Sequence, residues 1–213
     1  MKSLPIIHDE EQELIKAAQR GDLSAFNALI DRYQNLLFGI ALRMLNDEDT
    51  AADAVQEALI SAFSKFRTFR GGSLRSWLAR VTVNACYDEL RRKRRQREVP
   101  LEQFNMEGEE VEDLLWMIDP AAKPEEQYES FELESAIQRS LNSLTPAYRE
   151  VVVLVDIEGL SYEEASVAAQ VPVGTVKSRL ARARLQIRTS LQGYGELLPS
   201  QYVMEMAQPV CIL

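Results

Sequence analysis

The sequence is poor in the residues on which most enzyme chemistry depends. It has one histidine, His8, and two cysteines, Cys86 and Cys211. Two cysteines cannot build a disulfide scaffold, and with one histidine they argue against a Cys/His zinc site. His8 lies in a terminus expected to fray, so histidine-based catalysis has little to stand on. No run of about 18 apolar residues is present that could form a transmembrane helix. The first ten residues turn acidic too soon for a signal peptide, so a cytoplasmic protein is expected, without stable membrane insertion. Strand-like alternation is nearly absent, and Gly and Pro cluster at a few places. The expectation is an all-α chain that is no enzyme and holds no cofactor or metal.

What is present is unevenly distributed. The 213 residues are 46% hydrophobic, enough for a packed core in one or two domains. The net charge of −9 at first argues against nucleic acid. Residues 1–98, however, are net +2, residues 99–135 are net −11, and residues 136–213 are neutral. An acidic connector therefore separates two segments, each with a local basic patch.

Apolar spacings of three and four place helices along both segments. Phe26, Leu29, Ile30, Tyr33, Leu37, Ile40, Ala41 and Met44 mark the first. Ala51, Val55, Leu59, Ala62 and Phe66 mark the second, and a third runs from about Leu74 to Arg97 after the Gly71-Gly72 break. In the second segment Tyr128, Phe131, Leu133, Ile137, Leu141 and Leu144 predict one helix, and Thr145-Pro146 starts another. The run Val151–Val155 is β-prone, but its brevity and flanks favour a buried helix. The resulting division is a helical domain over 1–98, an acidic flexible linker over 99–127, a second helical domain over 128–192 and a tail of unknown role over 193–213. Within the linker, Leu114-Leu115-Trp116-Met117-Ile118 is an apolar patch, either a spot on a plain tether or a docking segment.

Three clusters carry function. Ser161 and Glu164 form a capping box, a short turn follows at Val171–Gly174, and a last helix buries Val176, Leu180, Ala183 and Ile187. Its outer side carries Lys177, Ser178, Arg179 and Arg182, and residues 171–192 hold five basic side chains and no acid. That pattern fits a helix-turn-helix reading duplex DNA in the major groove; the alternative is a merely solvated basic helix. In the helix after Leu74, the residues Trp77, Arg80, Asn84, Tyr87 and Arg91 share one side, with Arg67 and Arg70 upstream. From 61 to 97 there are 11 basic and 2 acidic residues. Aromatics among cations suit single-stranded nucleic acid, although Trp77 and Tyr87 could equally be core residues. Last, Asp53, Gln56, Glu57, Ile60 and Ser64 form an outward stripe, either a protein interface or a solvated face.

These residues resemble the extracytoplasmic-function sigma factors of bacterial RNA polymerase, over roughly residues 22–97 and 130–190. The resemblance rests on Asp53-Ala54-Val55-Gln56-Glu57-Ala58, on Ser73 to Asn84 with Asp88-Glu89-Leu90-Arg91-Arg92, and on Val173 to Arg184. It implies that Asp53, Gln56, Glu57 and Ile60 bind the polymerase β′ clamp. Arg67, Arg70, Ser73, Trp77, Arg80, Asn84, Tyr87 and Arg91 would hold the melted minus-ten element. Thr175, Lys177, Ser178, Arg179 and Arg182 would read the minus-thirty-five element beside the β flap. An anti-sigma factor is the implied regulator. The competing readings are a polymerase-independent helix-turn-helix regulator, which leaves the first two clusters unused, and a metal-dependent nuclease, for which the acids are in the wrong place. A redox role for Cys86 or Cys211 would need a charged pocket around the thiol.

Overall fold

The computed structural model describes residues 5–98 and 135–191. The linker patch, Tyr128, Phe131, Leu133, the tail and Cys211 lie outside these residues. The elements in chain order are α1 (Pro5–Gln19), α2 (Leu23–Leu45), α3 (Glu48–Lys65), a 3-10 turn (Phe66–Thr68), α4 (Leu74–Glu98) and α5 (135–143). Then come α6 (Pro146–Val152), which continues as a π-turn (Val153–Ile157), α7 (Tyr162–Ala169) and α8 (Val173–Leu191). No strand occurs among the described residues.

Local chemistry sets the boundaries. The Asp22 carboxylate accepts from the amides of Ser24 and Ala25 and opens α2. Asn46 closes it in the left-handed conformation, φ 54°, returning its N–H to the Leu42 carbonyl. Asn tolerates that conformation better than most residues. Asp47 then caps α3 through Thr50, so two caps set back to back make a tight α2–α3 hairpin. The terminus expected to fray is instead the backbone of α1, which packs on α2 through Ile15 and Ala18. Its apolar residues, Ile6 and Ile7, then Leu14, Ile15, Ala17 and Ala18, fall in two groups parted by six polar residues, a weak periodic signal, which is why the pattern did not show it.

On α3 the buried line is Ala51, Ala54, Ala58 and Ala62, while Val55 and Leu59 are half-buried. The larger side chains were the wrong guide. Alanines at intervals of three and four let α2 and α4 approach α3 closely, and the bulkier residues sit at the margins of that contact. Phe66 is fully buried, but in the 3-10 turn. There it packs edge-to-face on Phe26 and Trp77, at 5.3 and 5.7 Å between centroids. Each such ring removes enough apolar surface to contribute roughly 1.5–3 kcal/mol.

The valine run is helical, as its flanks predicted. Val151, Val152, Val153 and Leu154 are all buried, so packing overrides β propensity. Its end differs from a plain helix: the Glu158 amide reaches back to the Val153 carbonyl, and the last turn widens.

The two halves are not separate bodies. One buried cluster runs from Ile40 and Met44 through Ala79, Val83 and Cys86 to Leu154, Ala165, Ala168 and Leu180. Here α4 lies along α7, and the end of α2 meets α6 and the π-turn. A second cluster gathers α1, Leu29, Phe66, Phe69 and Trp77.

Candidate nucleic-acid interface

On α3, Asp53, Gln56, Glu57 and Ile60 are all exposed on one side, and Ser64 returns its hydroxyl to the Ile60 carbonyl. Ile60 is 62% exposed, and Phe63 beside it is also exposed. An isoleucine this open contributes little to the fold, so the stripe is free to serve contact.

The loop from Phe69 to Ser73 turns on Gly71 and Gly72, with φ 91° and 89°, values that other residues rarely adopt. Gln19 of α1 donates to the Phe69 carbonyl at 2.7 Å and steadies the loop from behind. Arg67, in the 3-10 turn before the loop, and Arg70, within it, are both exposed. Ser73 opens α4, its Oγ accepting from the Ser76 amide.

A cleft of about 260 Å³ lies between α3 and α4, lined among others by Glu57, Lys65, Thr68, Trp77, Arg80 and Asn84. It brings Trp77, Arg80 and Asn84 together beside the α3 stripe. Trp77 is only 9% exposed, with its ring packed against Phe66 and Phe69. The faces expected to stack on unpaired bases are therefore largely used by the core. Asn84 is exposed and Arg80 half-exposed. Arg91, also exposed, pairs with Asp88 one turn back.

Tyr87 is placed differently. It turns to the other half of the molecule and donates its hydroxyl to Glu150 of α6 at 2.8 Å. Burial and the neighbouring Glu150 carboxylate push its phenol up. Burial likewise raises the Glu150 carboxyl, against the pull of Tyr87 and Arg179. Beside them Cys86 is fully buried, and burial pushes its thiol up to about 12. A thiol so held is protonated and inert at neutral pH, with no charged pocket for redox work.

In the second half, Ser161 and Glu164 make the capping box, each bond 3.1 Å. Gln170 ends α7 in the left-handed conformation, φ 55°. The turn is Gln170 to Pro172, and α8 begins at Val173, one or two residues before the Gly174 or Thr175 start that the sequence pattern predicts. The Pro172 carbonyl accepts from Thr175 and Val176 and so acts as the cap. Val176, Leu180 and Ala183 are buried, Ile187 partly. Lys177, Ser178 and Arg182 are exposed, whereas Thr175 and Arg179 are half-buried. Lys177 sits over the Tyr162 ring at 5.3 Å, which fixes the ammonium beside the open side of α8. Arg184 is committed elsewhere, to Asp156.

Sequence periodicity did not anticipate the partners of Tyr87 and Ser73. These come from α6 and α7, some 60 and 90 residues away, and no local signal carries that pairing.

Comparison with known proteins places the two halves in one family. Residues 29–96 match sigma-70 region 2, and residues 134–187 match sigma-70 region 4. The chain is 33% identical to the RNA polymerase sigma-H factor of Pseudomonas aeruginosa, over 88% of this chain and 96% of that one. It is 35% identical to the ECF RNA polymerase sigma-E factor of Haemophilus influenzae, over 85% and 95%. The fold is also that of CnrH in complex with the cytosolic domain of CnrY, with a TM-score of 0.62 at 24% identity over 87% of this chain and 99% of that one. The sigma factor RpoE in complex with the anti-sigma factor NepR from Bartonella quintana gives 0.60 at 24%, over 80% and 98%.

Proposed function

The chain belongs to the extracytoplasmic-function sigma factors, which direct RNA polymerase to promoters, and on that premise we propose how its surfaces divide the work. The exposed stripe Asp53, Gln56, Glu57 and Ile60 docks on the polymerase β′ clamp. The loop and cleft of the first domain, residues 1–98, with Arg91 further along α4, hold the non-template strand of the minus-ten element through Arg67, Arg70, Ser73, Arg80, Asn84 and Arg91, and Tyr87 joins them only on leaving its bond to Glu150. Trp77 shapes that cleft from the core side. The second domain, residues 128–192, sits by the β flap and reads the minus-thirty-five duplex. Lys177, Ser178 and Arg182 lead, and Thr175 and Arg179 stand beside them. Polymerase performs the catalysis, in the cytoplasm, and an anti-sigma protein restrains the factor.

The observation that carries this reading is the outward side of α8. Lys177, Ser178 and Arg182 are open together on a helix whose other side is anchored by Val176, Leu180 and Ala183. That is the geometry of a helix inserted in a major groove. The first domain supplies the complementary half of the task. Opening a base step costs on the order of 1.4 kcal/mol, and cations lining the exposed strand offset that cost without ATP.

Run-off transcription with purified bacterial core polymerase tests the reading. A promoter-specific transcript should appear only when this chain is added. Tight operator binding without polymerase, and no transcript, would favour the polymerase-independent regulator instead. Arg182→Ala should cost about 1–3 kcal/mol at a cognate minus-thirty-five element. An equal loss on every duplex would reduce Arg182 to a phosphate contact.

A further inference from the structure

Helix α1 lies outside residues 29–96, the stretch that matches region 2, yet it is built firmly onto that domain. Tyr33 of α2 donates to the Glu11 carboxylate at 2.6 Å, and Arg32 pairs with Glu10 at 3.2 Å. Nearer its end, Ile15 and Ala18 enter the buried cluster that holds Phe66, Phe69 and Trp77. Its last turn then meets the strand-holding loop and the 3-10 turn before it at two points. Gln19, half-buried, donates from Nε2 to the Phe69 carbonyl at 2.7 Å, across 50 residues of chain. Arg67 places its guanidinium 3.6 Å from where a Cβ on Gly21 would stand, beside the negative end of the α1 dipole.

Phe69 is where the path of the loop is decided. Its amide closes on the Phe66 carbonyl at 3.0 Å, and its ring packs on Phe66 and Trp77. The carbonyl is the remaining freedom, and it shares one rigid peptide plane with the Arg70 amide. Turning that plane swings the chain from Arg70 to Ser73, where the bond from the Ser76 amide to the Ser73 hydroxyl holds the far end. Between these ends Gly71 and Gly72 are exposed at positive φ, and a Cβ on either would meet nothing within 4 Å. Nothing packs against the tip at these glycines, so the Gln19 bond and the Ser73 cap are what orient its open backbone groups.

We propose that Gln19 is a positioning residue for base selection: by holding the Phe69 carbonyl it sets the loop 69–73 in the path in which that loop discriminates a base of the minus-ten strand. This rests on the assignment of the loop to that strand given above. The physical reason is a difference in tolerance. Long cationic side chains follow a phosphate anywhere within their reach, and such contacts carry no sequence information. Hydrogen bonds to a base edge need donors and acceptors held in a narrow range of directions. Loss of the Gln19 donor therefore relaxes the choice of base and leaves overall strand affinity nearly unchanged, since Arg67, Arg70, Arg80 and Arg91 remain.

The test uses the full chain, purified bacterial core polymerase and a template library. Each template carries randomised minus-thirty-five and minus-ten blocks and a transcribed barcode, and the run-off transcripts are sequenced. The variant G71A/G72A marks the minus-ten position that the loop reads. Gln19→Leu keeps the bulk and removes the donor. Gln19→Glu keeps the shape and sets a carboxylate against the carbonyl. Gln19→Lys restores an N–H donor at similar reach.

A mismatched base in a specific site typically costs about five- to a hundredfold in affinity. At the marked position Q19L and Q19E should each lower the preference for the favoured base at least about threefold. Preferences in the minus-thirty-five block and the salt dependence of the yield should not move, and Q19K should restore about half of the lost preference or more. Wild-type preferences in Q19L and Q19E, with only a lower yield or Tm, would make Gln19 merely structural and overturn the proposal. An equal loss at every promoter position, no recovery in Q19K, or wild-type preferences in G71A/G72A would overturn it too. A wild-type chain that enriches no promoter sequence would take the sigma assignment and this proposal together, whereas preferences kept in Q19L take only the proposal.

Discussion

Arg149 is the side chain whose loss the structure lets us price most directly. It lies on α6, half-buried, and its guanidinium donates to three carbonyls: Leu141 at 2.9 Å, Asn142 at 2.9 Å and Met44 at 2.8 Å. Leu141 and Asn142 lie at the end of α5, where backbone carbonyls lack intrahelical partners. Met44 lies at the end of α2 in the other half. A charged donor to a carbonyl contributes about 1.5–3 kcal/mol. Partial exposure places these at the low end, so three bonds come to about 4.5 kcal/mol. Burial lowers the Arg149 pKa, the sign of a desolvation cost that its removal would refund, and the net loss for Arg149→Ala should be about 3 kcal/mol. For a chain of this size that is a fall in Tm of roughly 6–12 °C, measured by circular dichroism. Arg149→Lys should recover less than half, because an ammonium cannot bridge three fixed carbonyls. A total loss under about 1 kcal/mol would refute the reasoning.

Three further outcomes are expected. Ile60→Asp should leave stability within about 0.5 kcal/mol of wild type, as for exposed substitutions generally, yet weaken binding to core polymerase at least tenfold (about 1.4 kcal/mol) in a pull-down titration. In a Cys211→Ser chain, Cys86 should react with a thiol reagent at pH 8 at least about a hundredfold more slowly than free cysteine until denaturant is added; rapid labelling of the folded chain would show the site to be open. Asp47 has its pKa lowered, first by the Thr50 hydroxyl and then by the Thr50 amide, so its cap contributes above the unfolded carboxylate range and is lost as pH falls through the folded value. Asp47→Ala should therefore cost about 1 kcal/mol at pH 7, and the gap should close in acid, once the pH has fallen through the lowered value of the folded Asp47 carboxyl; a gap unchanged by acid would mean that the charge is irrelevant there.

Much of this molecule could be read along the chain. Helix spacing marked α2, α4 and α8, because their apolar residues are large and regularly placed. The capping box at Ser161 and Glu164 was visible as a motif, since both partners lie within one turn. The outward side of α8 was likewise legible, because one helix period decides which residues face away from Val176 and Leu180. Where burial is carried by alanine, as on α3, the pattern misled, because hydrophobicity alone does not say how closely two backbones approach. For α1 the signal was too thin, and only packing on α2 makes it a helix worth having.

Chemical kind and helical phase are properties of a short stretch of chain, so the sequence by itself determined that there are two helical modules, which side of α8 is basic and open, and which side of α3 is exposed. Only the tertiary structure decided that Trp77 spends its ring on Phe66 and Phe69, that Tyr87 answers to Glu150, and that Ser73 shares Glu164 with a helix cap some 90 residues further on. Those choices depend on which distant surfaces meet. That is set by the summed fit of small residues, buried charge and a widened π-turn at Val153–Ile157, and no local periodicity records it.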